Sequence, residues 1–383
     1  MTFIAFCICV AAFYFLSTVT EFVLRYLPNP GSLTSAAEFS DGDSSIKATH
    51  ILFVFLTAFV TISICSKSSP LYPLNDWVDP NIYFTIGKSI LHGKLPYRDL
   101  FDHKGPLMYL IHTLGALVSE TSFLGVYFIE VAACAAFLWI SLQIMRLYQK
   151  SVSILLIPVL AAVVYSSAAF SYGDSAEELC LPFLAYAIYI GLKAVRAGEM
   201  PSYRECLLIG ITSSCILWTK YSLLGLYIGW ICVPAFLLLK SRKIQKLFYM
   251  LLTIAGGVLI TTLPILAWFA VNHALSDLWT VYFYDNLFLY SNTESGVFPF
   301  SLLYNLWQGV RFTYDYLMIP TILLVIGLLF LAKKENKYEF FFFLTSAFGM
   351  FLLIFVGGRH YKNYPFILSA FAPISLIVSV GMN

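Results

Sequence analysis

The sequence predicts an all-α fold: a polytopic integral membrane bundle of about eleven transmembrane helices, with a long structured first external loop that carries interfacial helices. Three observations predict it. The 383 residues are 60% apolar and only 11% charged, with 17% aromatics and a mean hydropathy of +0.80, a balance that belongs to membrane proteins rather than soluble domains. Apolar stretches of the ~20 residues needed to cross a bilayer, or ~17 when short or tilted, recur along the chain. Lys and Arg collect in short loops between alternate stretches, the pattern of cytoplasmic loops. A formal net charge of +2 gives no reason to expect nucleic acid as a partner.

The first apolar segment, 2–20, has neither a basic start nor a small-residue cleavage site, which marks a retained helix rather than a signal peptide. With the weakly acidic connection after it, residues 1–49 form an extra N-terminal helix and polar linker. The main body, 50–383, has expected spans at 50–66, 122–147, 151–170, 178–196, 205–218, 221–239, 247–270, 314–332, 338–356 and 363–381. The 205–218 segment is short and is expected to merge with a neighbour or re-enter. Eight cysteines, at 7, 9, 65, 134, 180, 206, 215 and 232, lie in or beside apolar spans without a CxxC. They read as buried small hydrophobes rather than as disulfides or a zinc knuckle.

Four loops carry twelve of the 23 basic residues: Arg146 and Lys150; Lys193, Arg196 and Arg204; Lys240, Arg242, Lys243 and Lys246; Lys333, Lys334 and Lys337. The segments 67–121, 171–177, 219–220, 271–313 and 357–362 alternate with them and so face the other, non-cytoplasmic side. The 67–121 loop is long, and loops of that length carry function or their own structure. Asp79-Pro80 reads as a helix start, an acidic N-cap followed by Pro. Ile82, Tyr83, Ile86 and Ile90 then fall on one face, and Asn81, Thr85, Lys88 and His92 on the other, as in a helix lying at the bilayer interface. Gly93 is the stop. "KLPYRDLFDHKGP" makes a turn-rich connection, and Pro106 opens a short apolar helix over 107–118, too short to span and therefore re-entrant or interfacial.

The combination D-P-x-x-Y, G-K-L-P-Y-R-D and F-D-H-K-G-P-L-x-Y resembles the first external loop of polytopic C-type (GT-C) glycosyltransferases. Within these it is similar to the protein O-mannosyltransferase and lipid A aminoarabinose transferase superfamily (glycosyltransferase family 39-like). The resemblance extends more weakly to "YGDSAEELCLPF" at 172–183 and "GGRHYKNYPFILSAFAP" at 357–373, and covers most of the chain from residue 50. It implies a GT-C-like core over 50–383 and an enzyme that takes a sugar from a polyprenyl-phosphate carrier at the outer membrane face. Asp76 and Asp79 depart from the paired acids frequent in that family's loop, and the 2–20 helix lies outside its common pattern. The chain stops at Asn383 after an apolar segment, where larger relatives carry further spans or a soluble domain. It is either a compact member or a shortened chain.

Sugar transfer from a lipid phosphate needs a base for the acceptor hydroxyl, charge for the departing phosphate, and alignment. Asp79 is the expected catalytic base, with helix capping as the alternative or concurrent role. Lys104, Arg359 and Lys362 are the expected phosphate-binding cations, with His103 and His360 adding hydrogen bonds; the alternative is contact with lipid headgroups. Asp174 and Glu177 form an expected second acidic site that orients the acceptor, or else a solvent-exposed turn. No ligand spacing supports a resident metal, and a divalent cation stays an open option. The aromatic run "DLWTVYFYDNLFLYSN" fits a lid, a sugar-stacking surface or an interfacial belt.

The expected function is therefore transfer of a hexose or pentose from a polyprenyl-phosphate donor to a lipid, surface glycan or protein, at the outer face of a bacterial plasma membrane. A transporter or flippase of lipid-linked sugars, or a polysaccharide polymerase, are the alternatives. Transporters place polar groups near the midplane and often repeat their halves. Here the ionisable groups collect at one surface and no internal repeat is evident, which favours the enzyme.

Overall fold

The computed structural model describes residues 48–289, 300–333 and 337–380; the expected helix at 2–20 and the linker after it lie outside the described residues. Within them the chain is helical and has no strand. Its elements are α1 (Ala48–Cys65), α2 (Val78–Leu91), α3 (Pro106–Val118), α4 (Leu124–Tyr148), α5 (Leu156–Tyr165), α6 (Ala176–Ala197), α7 (Tyr203–Lys220), α8 (Gly225–Lys240) and α9 (Ile244–Val271). A π-helix (Leu278–Leu289) follows, then α10 (Phe300–Lys333), α11 (Lys337–Phe355), a 3-10 segment (Tyr364–Phe371) and α12 (Ala372–Val380). Seven stretches among the described residues are long and apolar enough to cross a membrane. The difference from the expected count has local causes. The 205–218 and 221–239 segments form one apolar run, Tyr203–Lys240. Leu156–Tyr165 and Tyr364–Val380 are shorter helices.

The Tyr203–Lys240 run is helical but not straight. Lys220 takes an extended backbone (φ −158°, ψ 97°) and a 3-10 turn, Tyr221–Leu224, follows. Ser214 and Trp218 of α7 both bond Thr262 of α9 (3.1 and 3.0 Å), and Gly210 lies on Ile254 and Gly257, so the partners advance together and α7 runs parallel to α9. Gly225 and Gly229 of α8 meet Gly349 and Thr345 of α11 in the reverse order, an antiparallel pair. Both seams use small residues, which let backbones approach where lipid gives helices no hydrophobic reason to associate. The long α10 kinks at Leu317 (φ −132°), because Pro320 three residues on lacks the N–H that Tyr316 would accept and crowds that turn.

The bundle has two distinct ends. At one, Arg196 donates to Glu339 (3.1 Å), Tyr148 donates to the same carboxylate (3.2 Å), Lys193 pairs with Glu205 (3.1 Å) and Arg146 lies 3.4 Å from His50. These residues sit at the ends of α4 and α6 and the starts of α1, α7 and α11. The opposite end is formed by the starts of α4, α6 and α8 and the ends of α1, α7, α9 and α11, and it carries α2 and α3. Helix α2 shows the expected two faces: Tyr83, Ile86 and Ile90 are buried, while Asn81 and Thr85 are exposed. Its buried face packs on α3, where Thr113 donates to the Gly87 carbonyl (3.2 Å). One expectation fails at its start. The N-cap is Trp77, not Asp79, and no side chain caps it. Asn81 instead donates to the carbonyls of Asn75 and Trp77 (2.7 and 2.8 Å), and the helix starts two residues earlier than expected, with Asp79 inside the first turn.

Candidate functional site

A cavity of about 710 Å³ opens at the α2–α3 end of the bundle. Its walls come from the first turn of α2 (Trp77, Asp79, Ile82), the turn before α3 (Asp102, His103, Lys104), the α7–α8 reversal (Lys220, Tyr221, Ser222), the π-helix (Tyr282, Asn286, Leu287), the end of α11 (Leu353, Ile354, Val356) and the segment after it (Arg359, Tyr361, Lys362, Asn363, Tyr364). Four of the expected cationic and hydrogen-bonding groups, His103, Lys104, Arg359 and Lys362, therefore share one cavity with the expected base, Asp79.

Asp79 belongs to a first turn, where helix amides favour a carboxylate. Its Oδ2 accepts from the Tyr83 hydroxyl (3.0 Å) and lies 3.8 Å from Lys104 Nζ. Lys104 in turn stands 5.5 Å from the centre of the Tyr83 ring. The turn that carries it is pinned on every side. Leu95 N–H donates to Asp99 (2.7 Å), and this amide bond, with help from Arg98, holds the Asp99 carboxyl below its usual range. Tyr97, at φ +71°, donates its hydroxyl to the Lys104 carbonyl (2.6 Å). The Tyr109 hydroxyl lies within hydrogen-bond reach of Asp102 (2.8 Å) and of the same carbonyl (3.0 Å). Asn286 donates to the His103 carbonyl (2.9 Å) and Gly105 to that of Thr219 (2.9 Å). Gly105 has no substitute here, since an added Cβ would meet the Tyr282 hydroxyl at 2.9 Å and the Trp218 backbone closer still. Burial pushes the His103 pKa down, further than Asp102 pulls it up.

The sequence missed Lys220. Its ammonium hydrogen-bonds Glu177 Oε1 and stands 3.5 Å from the Tyr364 ring centre, a cation–π contact. Asn363 donates to the other Glu177 oxygen (3.0 Å). Lys220 is the lone charged residue in 206–239, and that was the available signal, because ionisable groups in apolar segments are functional candidates by default. Asp102 stood inside the quoted loop motif without a role; it lines the cavity.

Three expectations are corrected. His360 does not line the cavity: its Nε2 faces the Asn305 carbonyl (2.9 Å) and its ring stacks on Phe355, so it props the 357–363 turn. The 171–177 turn is not solvent-exposed, because Asp174 and Glu177 are both fully buried. Glu177 lies behind the cavity wall. Asp174 faces elsewhere, with His112 Nε2 at 2.9 and 3.0 Å from its two oxygens, so these two acids do not form one site. The Asp174 amide donates to both Glu130 (2.8 Å) and Glu178 (2.6 Å). That network stabilises a run of positive φ through Ser171, Tyr172, Gly173 and Asp174, a conformation L-residues rarely adopt. Of the aromatic run, Tyr282 is a buried wall residue while Trp279, Tyr284 and Phe288 are exposed; its last residues, from 290, lie outside the described residues. Among the described residues no three His, Cys, Asp or Glu side chains converge as metal ligands.

No protein-family model matches the chain, and no curated protein proves similar to it.

Proposed function

We propose that this cavity is the active site of a GT-C-type membrane glycosyltransferase, which moves a sugar from a polyprenyl-phosphate donor to a lipid, glycan or protein hydroxyl. The observation that carries the reading is the convergence of two carboxylates, Asp79 and Asp102, with Lys104, Lys220, Arg359 and Lys362 in a cavity whose wall also holds the apolar Ile82, Leu287, Leu353 and Ile354. Cations suit a phosphate. Leu353 and Ile354, in the last turn of α11, and Val356 just after it suit the first isoprenes. Asp79 takes the proton of the acceptor hydroxyl as its oxygen bonds the anomeric carbon. The bond from that carbon to the phosphate oxygen breaks, and the lipid phosphate leaves with the electron pair, its charge met by the lysines and Arg359.

An extracytoplasmic cavity is the proposed orientation, supported by the positive-inside rule, since basic residues such as Lys193, Arg196 and Arg146 lie at the far end of the bundle. Lys220 at a reversal agrees with α7 and α8 as two separate spans, and a total of eleven follows if 2–20, 151–170 and 363–381 also cross. A bacterial plasma membrane is the proposed location.

The test is covalent transfer of label from undecaprenyl-phosphate hexoses and pentoses by the purified protein. Asp79→Asn is expected to lower turnover by at least ~100-fold, and Lys104→Ala to cost about 2.7–4 kcal/mol of transition-state stabilisation, read as kcat/KM. Label that never moves, in vesicles where lipid-linked sugar crosses the bilayer, assigns the cavity to a flippase instead.

A further inference from the structure

Glu177 is a carboxylate without access to the cavity, yet it holds two of the cavity's walls. It sits in the first turn of α6, fully buried. One oxygen takes Lys220 from the α7–α8 reversal, and the other takes Asn363 from the segment after α11. A buried carboxylate is costly unless its partners are fixed, and here both partners are cavity residues. Lysine is a flexible stem with a three-donor head. Left alone, Lys220 would sample many positions; tied to Glu177 and seated over Tyr364, it holds one. Asn363 immediately follows Lys362 and starts the 3-10 segment, so its anchor also sets where the turn bearing Arg359 and Lys362 ends.

We propose that Glu177 is the positioning residue of the cationic wall: through Lys220 and Asn363 it preorganises the cavity for an alkyl phosphate. This rests on the reading of the cavity as a phosphate site. Preorganised donors bind more tightly because less freedom is lost on binding.

The experiment measures binding of undecaprenyl phosphate, and separately of inorganic phosphate, to the full chain in nanodiscs. Glu177→Gln keeps the shape but removes the charge that holds the Lys220 ammonium and leaves one acceptor where there were two. It is expected to weaken undecaprenyl phosphate binding about tenfold and, in transfer assays, to raise donor KM with kcat little changed. Wild-type affinity in Glu177→Gln, or a kcat that falls while donor KM stays at the wild-type value, overturns the proposal. Should Glu177→Gln not fold, Asn363→Ala leaves the Lys220 pair and removes one arm; unchanged affinity there overturns it equally. Inorganic phosphate bound as tightly as the lipid overturns the alkyl part. A wild-type protein that binds the lipid but transfers no sugar removes the transferase reading and leaves Glu177 in its role.

Discussion

At the scale of single residues, Asp174, expected from sequence to share an acidic site with Glu177, is paired instead with His112. Both are fully buried, and His112 Nδ1 also faces the Met108 carbonyl (2.8 Å). With a carbonyl on one nitrogen and a carboxyl on the other, the pair must keep a proton between them. The pKa shifts agree. Burial would lower His112, but Asp174 overrides it and the net direction is up; burial raises Asp174 itself. Both folded values exceed the unfolded ones, so the folded state binds protons more tightly, and the stabilisation is lost as pH rises through the raised values. We expect the melting temperature in detergent to fall as pH rises above the ordinary His112 value of 6.5, and Asp174→Asn to flatten that dependence. A wild-type curve flat above that value refutes the assignment. Asp79, His103, Lys104, Arg359 and Lys362 were legible because short motifs carried them. The Glu177–Lys220 pair was not, since 43 positions separate its members and no local pattern links them.

Individual elements were legible where periodicity is local. The 107–118 helix appears as Pro106–Val118, and the faces of α2 follow its i, i+3, i+4 spacing. Boundaries set by tertiary contact were not, as the Trp77 cap and the bent Tyr203–Lys240 run show. The α7–α9 seam makes a sharp case at adjacent glycines. A Cβ at Gly257 would come within 2.9 Å of both the Gly210 Cα and the Ile211 nitrogen, and nearer to the Leu207 carbonyl, whereas one at Gly256 would meet only a Leu207 methyl at 4.0 Å. Gly257→Ala is expected to destabilise by about 1–3 kcal/mol through overpacking against backbone. Gly256→Ala, which gains helix propensity of up to ~1 kcal/mol, is expected to be neutral or stabilising. Thermal unfolding of the two variants side by side decides it, and equal losses would mean the seam is looser than this.

For the whole molecule, composition was enough to indicate a helical membrane bundle, while the number of crossings depended on bends and short helices that hydropathy does not resolve. The proposed orientation has a direct check. Leu74 is among the most exposed apolar residues of the first loop, at 77%, and Arg242 lies in the opposite basic turn. In intact cells a membrane-impermeant maleimide should label Leu74→Cys above the parent background and leave Arg242→Cys unlabelled; the reverse pattern inverts the topology. The cavity's walls also come from residues as far apart as Trp77 and Tyr364. A nascent chain that has inserted only its first helices carries Asp79 and Lys104 but lacks the opposite wall. During biosynthesis the pocket is therefore complete only once the chain through Tyr364 has reached the bilayer, and a polypeptide stalled before that point leaves Asp79 and Lys104 facing a missing wall.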